Sequence, residues 1–241
     1  LLDDLVAACL AQTTVLIAGQ QQDLNEACSV LQGYNKRLDL DSPGAVLFRE
    51  WINLYSYSET YKKGDLFAVA FDVKDPVNTP RQLANKELAL QKLGQAMQIM
   101  KGAGLKLEST LGETQFAYRG DKKIAIHGGG SAEGVANIIG QRHYETLAKQ
   151  VRGEKIEGSK YLTDKGYAIT YGTSFLLSLS YTDSGPVAEA FLTYSESGDP
   201  SSVHYTDQTQ LFSTKQWRPI LYNMEDIKKD VKSVMIITGN R

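Results

Sequence analysis

The chain has 241 residues, enough to bury a sizeable core in one or two domains. Hydrophobic residues make up 42% and charged residues 22%, ordinary globular values, and the formal net charge is −2. That balance gives no electrostatic case for nucleic acid or an anionic membrane surface as partner. No apolar run approaches the roughly 18 residues of a spanning helix, and no basic-then-apolar leader pattern is present.

The chain opens Leu1-Leu2-Asp3-Asp4, without Met, as expected of a processed or trimmed product and equally of an artificial boundary. Residues 1–18 read as a helix, with Asp3 and Asp4 in a first turn whose dipole favours negative charge. A second helix is expected over 23–33, ending near Gly33. Cys9 and Cys28 fall in these two helices and are too few for a disulfide framework or a zinc site. They read as buried free thiols, from which no compartment follows.

Ser42-Pro43 is a cap-plus-first-turn signal, because proline's missing N–H costs nothing there. Behind it Leu47, Phe48, Trp51, Ile52 and Tyr55 recur at helical intervals and form one apolar stripe. The strongest helical pattern covers 80–101, with Thr79 as cap, Pro80 at the first position and Gln82 closing a capping box. Leu90, Leu93, Met97 and Met100 supply its stripe, and Gly102 and Gly104 end it.

After Gly104 helical periodicity gives way to short β-type runs, with strands expected at 114–119, 123–127 and 167–171. Phe175, Leu177, Leu179 and Tyr181 alternate with mostly small residues, which predicts a strand with one face in a core. Residues 182–186 read as a turn and 187–194 as the returning strand. Helices follow at 204–213 and at 224–230, the latter capped by Asn223, and Val234 to Thr238 reads as a last strand.

The motifs that invite a catalytic reading are weak taken one by one. Ile124 to Gly130, with His127-Gly128-Gly129-Gly130, could cradle a phosphate or serve as an oxyanion loop, but its spacing is not G-x-G-x-x-G and no Gly-Lys-Ser/Thr follows. An esterase using this loop would need Ser131 or Ser174 as nucleophile. Gly172-Thr173-Ser174-Phe175-Leu176 lacks the second glycine of a nucleophile elbow. A glycine-rich bend at a strand end is the plainer reading. His127, His143 and His204 are spaced too widely for a metal signature, and Asp39/Asp41 and Glu225/Asp226 look like caps and solvated faces. Lys122-Lys123 and Lys228-Lys229-Asp230 read as solvated charge, with no aromatic interleaving of the kind that binds single strands.

Several segments nevertheless occur in the order shown by one family. Asp41 to Trp51 contains a small-residue pair before a Leu-Phe-x-x-Trp helix, and Ile124 to Asn137 is a strand-and-glycine segment. Gly172-Thr173-Ser174-Phe175 looks like the start of a sandwich strand. Ala190 to Ser195, Asp199-Pro200-Ser201-Ser202-Val203-His204-Tyr205-Thr206-Asp207-Gln208, Trp217-Arg218-Pro219 and Asp226-Ile227 follow in turn. Over roughly residues 27–237 this order resembles the penicillin acylase family of N-terminal-nucleophile hydrolases, in its acyl-homoserine-lactone acylase and aculeacin acylase branch.

The resemblance implies a precursor that cuts itself into an α chain and a β chain, zymogen fashion. The β chain would start with a serine whose own amine is the base, and its acyl-enzyme oxyanion would be held by a backbone N–H and an asparagine. This chain starts at Leu1, and no counterpart of the asparagine-serine oxyanion segment is found in it. No catalytic, cofactor-binding or metal residue is therefore assigned to it, and no cofactor is expected.

The expectation is an α+β chain: a helical subdomain over 1–104, then 105–241 supplying the C-terminal strands and helices of an αββα sandwich. It would be the C-terminal part of the β chain of an amide hydrolase, by resemblance a periplasmic degrader of acyl-homoserine-lactone quorum signals, and inactive alone. Its partners would be the upstream β-chain segment, the α chain of the same precursor and a small N-acyl substrate, with neither nucleic acid nor membrane. The alternative is a non-catalytic binding or scaffold protein that reuses the same C-terminal fold.

Overall fold

The structure, a computed structural model, describes residues 1–130, 133, 135 and 137–239. It is mixed α and β, with several small sheets, and its contacts divide it into two compact units, Leu1–Thr173 and Ser174–Arg241. The compositional change after Gly104 falls inside the first unit, just past the end of its longest helix.

In the first unit, helix α1 covers Leu2–Ala11 and α2 covers Asn25–Gly33. The expected helix over 1–18 stops early. Four of the five residues from Thr13 to Ile17 are β-branched and lose side-chain freedom in a helix, and the segment forms strand β1 (Thr14–Ile17) instead. Strand β2 (Gln20–Asp23) returns antiparallel to β1 through a two-residue turn, Ala18-Gly19, with both φ angles positive at 50° and 81°.

The two cysteines are also corrected. Cys9 on α1 and Cys28 on α2 are joined by a disulfide with a Cα–Cα distance of 5.6 Å, so neither is a free thiol. Each lies on the buried face of its helix, and packing α1 against α2 brings the two together.

Helix α3 (Ala45–Asn53) starts later than the Ser42-Pro43 signal predicts. Its N-cap is Gly44 at φ 86°, and the buried Ser42 hydroxyl has no hydrogen-bond partner among the described residues. The glycine is required twice over, since a Cβ there would also stand 3.0 Å from the Tyr34 Cβ. The predicted stripe holds: Leu47, Trp51, Ile52 and Tyr55 are buried, and Trp51 Nε1 donates to the Ala89 carbonyl at 2.9 Å.

That carbonyl belongs to α4 (Lys86–Gly102), whose start also differs from expectation. Residues Phe67–Val69 form β3, and Arg81–Leu83 form β4 paired with it, after a cis Thr79–Pro80 bond. The cap is Asn85, whose side-chain oxygen accepts from the Leu88 N–H at 3.0 Å. Leu90, Leu93 and Met100 are buried as predicted, and Met97 is half-buried.

A short helix α5 (Leu111–Thr114) leads into β5 (Gln115–Arg119), followed by β6 (Lys122–Ala125). Further on come β7 (Ile139–Gly140), α6 (Lys149–Arg152), β8 (Tyr167–Ile169) and β9 (Tyr171–Gly172). Strand β5 is central, antiparallel to β6 and parallel to β8, while β7 pairs with β9. The three strands expected over 114–127 and 167–171 are thus present within a residue or two at each end.

The second unit begins with β10 (Phe175–Thr182) and β11 (Gly185–Leu192), an antiparallel hairpin about the predicted turn, with β12 (Arg218–Pro219) on the far edge of β11. Helices α7 (Asp207–Ser213) and α8 (Met224–Asp230) match the predicted pair, and the Asn223 side chain accepts from Asp226 N at 2.8 Å.

One face of the hairpin is covered. Phe191 is buried against Phe212 of α7 and Trp217, with ring centres 6.1 and 4.4 Å away. The face predicted to lie in a core does not. Phe175, Leu177, Leu179 and Tyr181 are 51%, 51%, 48% and 83% exposed, opposite Leu192, Ala190, Ala188 and Pro186. Alternation placed them on one face, but α7, the helix packed on this sheet, lies on the other. Residues 234–238 form no strand, and Val234, Met235, Ile236 and Ile237 are exposed.

Candidate functional site

The densest chemistry in the first unit lies beneath the glycine-rich segment. Helix α3 places Arg49 among apolar neighbours, where it is 1% exposed. Its Nε donates to Glu133 Oε1 at 2.8 Å, one terminal nitrogen to Gln115 Oε1 at 2.5 Å, and the other to the Gly128 carbonyl at 3.1 Å. Gln115, at the start of β5, in turn donates to the Ile126 and Gly128 carbonyls at 2.5 and 3.1 Å. A guanidinium so placed satisfies most of its donors without water, as a buried charge requires.

Burial works against the Arg49 charge, and the facing Glu133 carboxylate, with Tyr167, more than offsets it, so the guanidinium is held above its ordinary value. The Tyr167 ring also lies 5.0 Å from the guanidinium carbon. The Tyr167 hydroxyl donates to Glu50 Oε1, while Glu50 Oε2 has no hydrogen-bond partner among the described residues. Burial therefore raises the Glu50 carboxyl, against the opposing pull of the Tyr167 and Ser159 hydrogen bonds. The nearby Tyr34 hydroxyl is pushed up to about 12, by burial and then by Glu133.

This node fixes the glycine segment and uses up its donors. Gly128 N donates to the Leu38 carbonyl at 2.9 Å and Gly129 N to the Asn137 carbonyl at 3.2 Å. Gly130 N donates to Glu133 Oε2 at 2.6 Å. An oxyanion or phosphate loop needs such N–H groups free and convergent, so the segment is a structural clasp. Its glycines are needed for close approach. A Cβ on Gly129 would stand 2.4 Å from Leu38 Cδ1, and one on Gly128, at φ 105°, would stand 2.7 Å from the Asn137 side chain and carbonyl.

The other residues singled out from sequence lie apart. Asn137 Nδ2 sits 3.2 Å from His127 Nδ1 and also reaches the His127 carbonyl. His143 is exposed and precedes a single 3-10 turn, Tyr144–Thr146. His204 Nδ1 pairs with Asp207 Oδ2 at 2.8 Å in an exposed contact at the start of α7. The Ser174 carbonyl accepts from Thr193 N at 3.0 Å, between the strands of the second-unit hairpin, and Ser131 lies outside the described residues. Among the described residues no group of three acidic, histidine or cysteine side chains could hold a metal, and no helix is long and apolar enough to cross a membrane. Sequence reasoning passed over Arg49, Gln115, Glu133, Glu50 and Tyr167, whose hydrogen bonds with one another span 66 to 117 residues of chain. The available signal was Arg49-Glu50 inside an otherwise apolar helix.

The family model for penicillin amidase matches residues 1–229. The chain belongs to the penicillin amidase family. Among curated relatives it is similar to aculeacin-A acylase of Actinoplanes utahensis, 32% identical over 230 residues, covering 95% of this chain and 26% of the relative. It is also similar to acyl-homoserine lactone acylase PvdQ of Pseudomonas syringae pv. syringae, 29% identical over 235 residues, covering 95% of this chain and 27% of that protein. The PvdQ of Pseudomonas fluorescens strain Pf0-1 is 30% identical over 233 residues, with 94% and 26% covered. The chain thus spans about a quarter of the length of the curated relatives it matches. Family membership also explains the order of segments seen in the sequence, from the Leu-Phe-x-x-Trp helix to Trp217-Arg218-Pro219, since the match runs through all of them.

Proposed function

We propose that this chain is the C-terminal part of the β chain of an N-acyl amide hydrolase whose nucleophile, an N-terminal serine, lies elsewhere in the polypeptide. The observation that carries this reading is the 32% identity with an acylase over 230 residues that make up only 26% of that acylase. The substrate class follows from the PvdQ relatives: an acyl-homoserine lactone, cleaved at its amide through an acyl-enzyme. In this reading residues 1–104 are a helical subdomain, and 105–241 contribute strands and closing helices to an αββα sandwich.

The open apolar face of the second-unit hairpin supports the sandwich, because a sheet with a helix on one face and bare Phe, Leu and Tyr on the other has the pattern of an inner layer. The Cys9–Cys28 disulfide supports a periplasmic or otherwise oxidising compartment. The role of this chain in catalysis is then to frame the site: the Arg49 clasp ties α3, β5 and the glycine segment into one stiff piece.

The test compares the full natural reading frame with chain 1–241 for release of homoserine lactone from N-acyl-homoserine lactones of several lengths. Turnover by the longer protein alone is expected. Turnover by 1–241 alone would overturn the reading. A longer protein inert on every N-acyl amide would favour the binding or scaffold alternative.

A further inference from the structure

One concave surface of the first unit carries charge of a single sign. It is a cleft of 430 Å³ bordered by Tyr57 after α3, the β7–β9 pair and the loop at Lys160-Tyr161, within the range usual for small-molecule sites. Among the described residues two cations line it, Arg142 and Lys160, and no carboxylate does. Arg142 and Lys160 form no ion pair with any described residue, and Lys160 rests only on the Tyr161 ring, 5.4 Å from its centre.

Two further features mark the cleft as more than exposed charge. Gln141 lines it while only 5% exposed, and its amide makes no hydrogen bond to a described residue. Its amide atoms reach the solvent of the cleft, where a ligand can take over their hydrogen bonds. Tyr171 lies directly against Gly140, where a Cβ would stand 3.0 Å from its Cδ1, and so holds an aromatic wall in place at the β7–β9 pair. The larger groove of 640 Å³ beside β2 and α4 lacks this character: its Lys101 and Lys106 are balanced by Asp23, Glu26 and Glu108.

We infer that this cleft binds a small aryl carboxylate, with the carboxylate held by Arg142 and Lys160, the aromatic body against the tyrosine walls, and the Gln141 amide meeting a polar atom of the ligand. Arg favours carboxylates because its planar fork offers paired donors, and an aromatic body gains offset or edge contact with Tyr57, Tyr161 and Tyr171. The inference rests on the cleft alone and is independent of the acylase reading.

The probe is 4-bromobenzoate, titrated calorimetrically into the protein at its full natural length and soaked into its crystals. Saturable binding is expected, with the bromine anomalous signal in the cleft. Arg142→Ala and Lys160→Ala should each weaken binding about five-fold, the scale of one exposed charge contact. Both side chains are exposed, so these variants leave the core untouched. The neutral twin 4-bromobenzyl alcohol should bind at least about ten-fold more weakly, because it leaves both cations unpaired. Binding unchanged in the double variant, or a bromine signal found only elsewhere, would overturn the inference. Inorganic phosphate binding as tightly as 4-bromobenzoate would overturn its aromatic half.

Discussion

In the first unit Arg49, Glu50 and Glu133 are buried side by side in or beside the core, whereas in the second unit Phe175, Leu177, Leu179 and Tyr181 face outward from a regular strand. Arg49 and Glu133 are tolerated inside because each guanidinium nitrogen finds an acceptor, one of them the Glu133 carboxylate. The apolar groups stay outside because α7, the helix packed on their sheet, covers its other face. Burial therefore follows from available partners rather than from the polarity of the residue. A strand read as amphipathic still needs a second layer before its apolar side becomes a core.

The comparison is broken most directly at Arg49. Arg49→Met should cost about 3–5 kcal/mol of stability, because Glu133 is left buried opposite no cation. Chemical denaturation measures it, and the double variant Arg49→Met/Glu133→Leu should recover most of the loss. A double variant as unstable as the single one would show that the ion pair is not what holds the clasp.

Next in size is the covalent link. Replacing both Cys9 and Cys28 by Ala should cost about 3 kcal/mol, the scale for a loop of this length, read as a shift in the urea midpoint. No shift would mean that packing of α1 on α2 suffices without the bond.

Glu50 gives a smaller effect with a defined sign. Its folded-state carboxyl is raised by burial, so its contribution is fully present below the unfolded value, about 4.3, and is lost as pH rises through the folded value. Glu50→Gln, which cannot ionise, should gain stability relative to the parent as pH rises from 5 to 8. Parallel pH profiles for the two proteins would rule this out.

The smallest effect belongs to the open face. Leu177→Ser and Leu179→Ser in chain 1–241 should each change stability by less than about 0.5 kcal/mol, whereas Phe191→Ala on the covered face should cost about 3 kcal/mol or more. Equal losses on both faces would mean that the apolar side is covered after all.

Much of the fold was legible where local chemistry decides it. The Asn223 cap of α8, the strands about Gly120 and the β10–β11 turn at Asp183-Ser184 follow from propensity and spacing alone. The start of α4 was misread because two cap signals compete. Thr79-Pro80 looks like an N-terminus, but residues 81–83 pair with 67–69, and that choice depends on a strand a dozen residues upstream. The first helix was overextended across Thr13 to Ile17, a segment rich in β-branched residues and followed by Ala18-Gly19 that carries its own hairpin signal. The Arg49 clasp and the disulfide were not legible in the same way, since each joins residues that only tertiary packing brings together. The glycine segment shows the converse. Its sequence invites a catalytic reading, and only the fate of each N–H shows that it is fastened down.

The bond between Cys9 and Cys28 also sets how load and damage travel through the start of the chain. Tension applied at Leu1 passes from Cys9 straight across to Cys28, so residues 10–27, including the hairpin, carry none of it. A peptide-bond cut at the exposed Ala18-Gly19 turn would likewise release nothing: both pieces stay tethered through sulfur and part only on reduction.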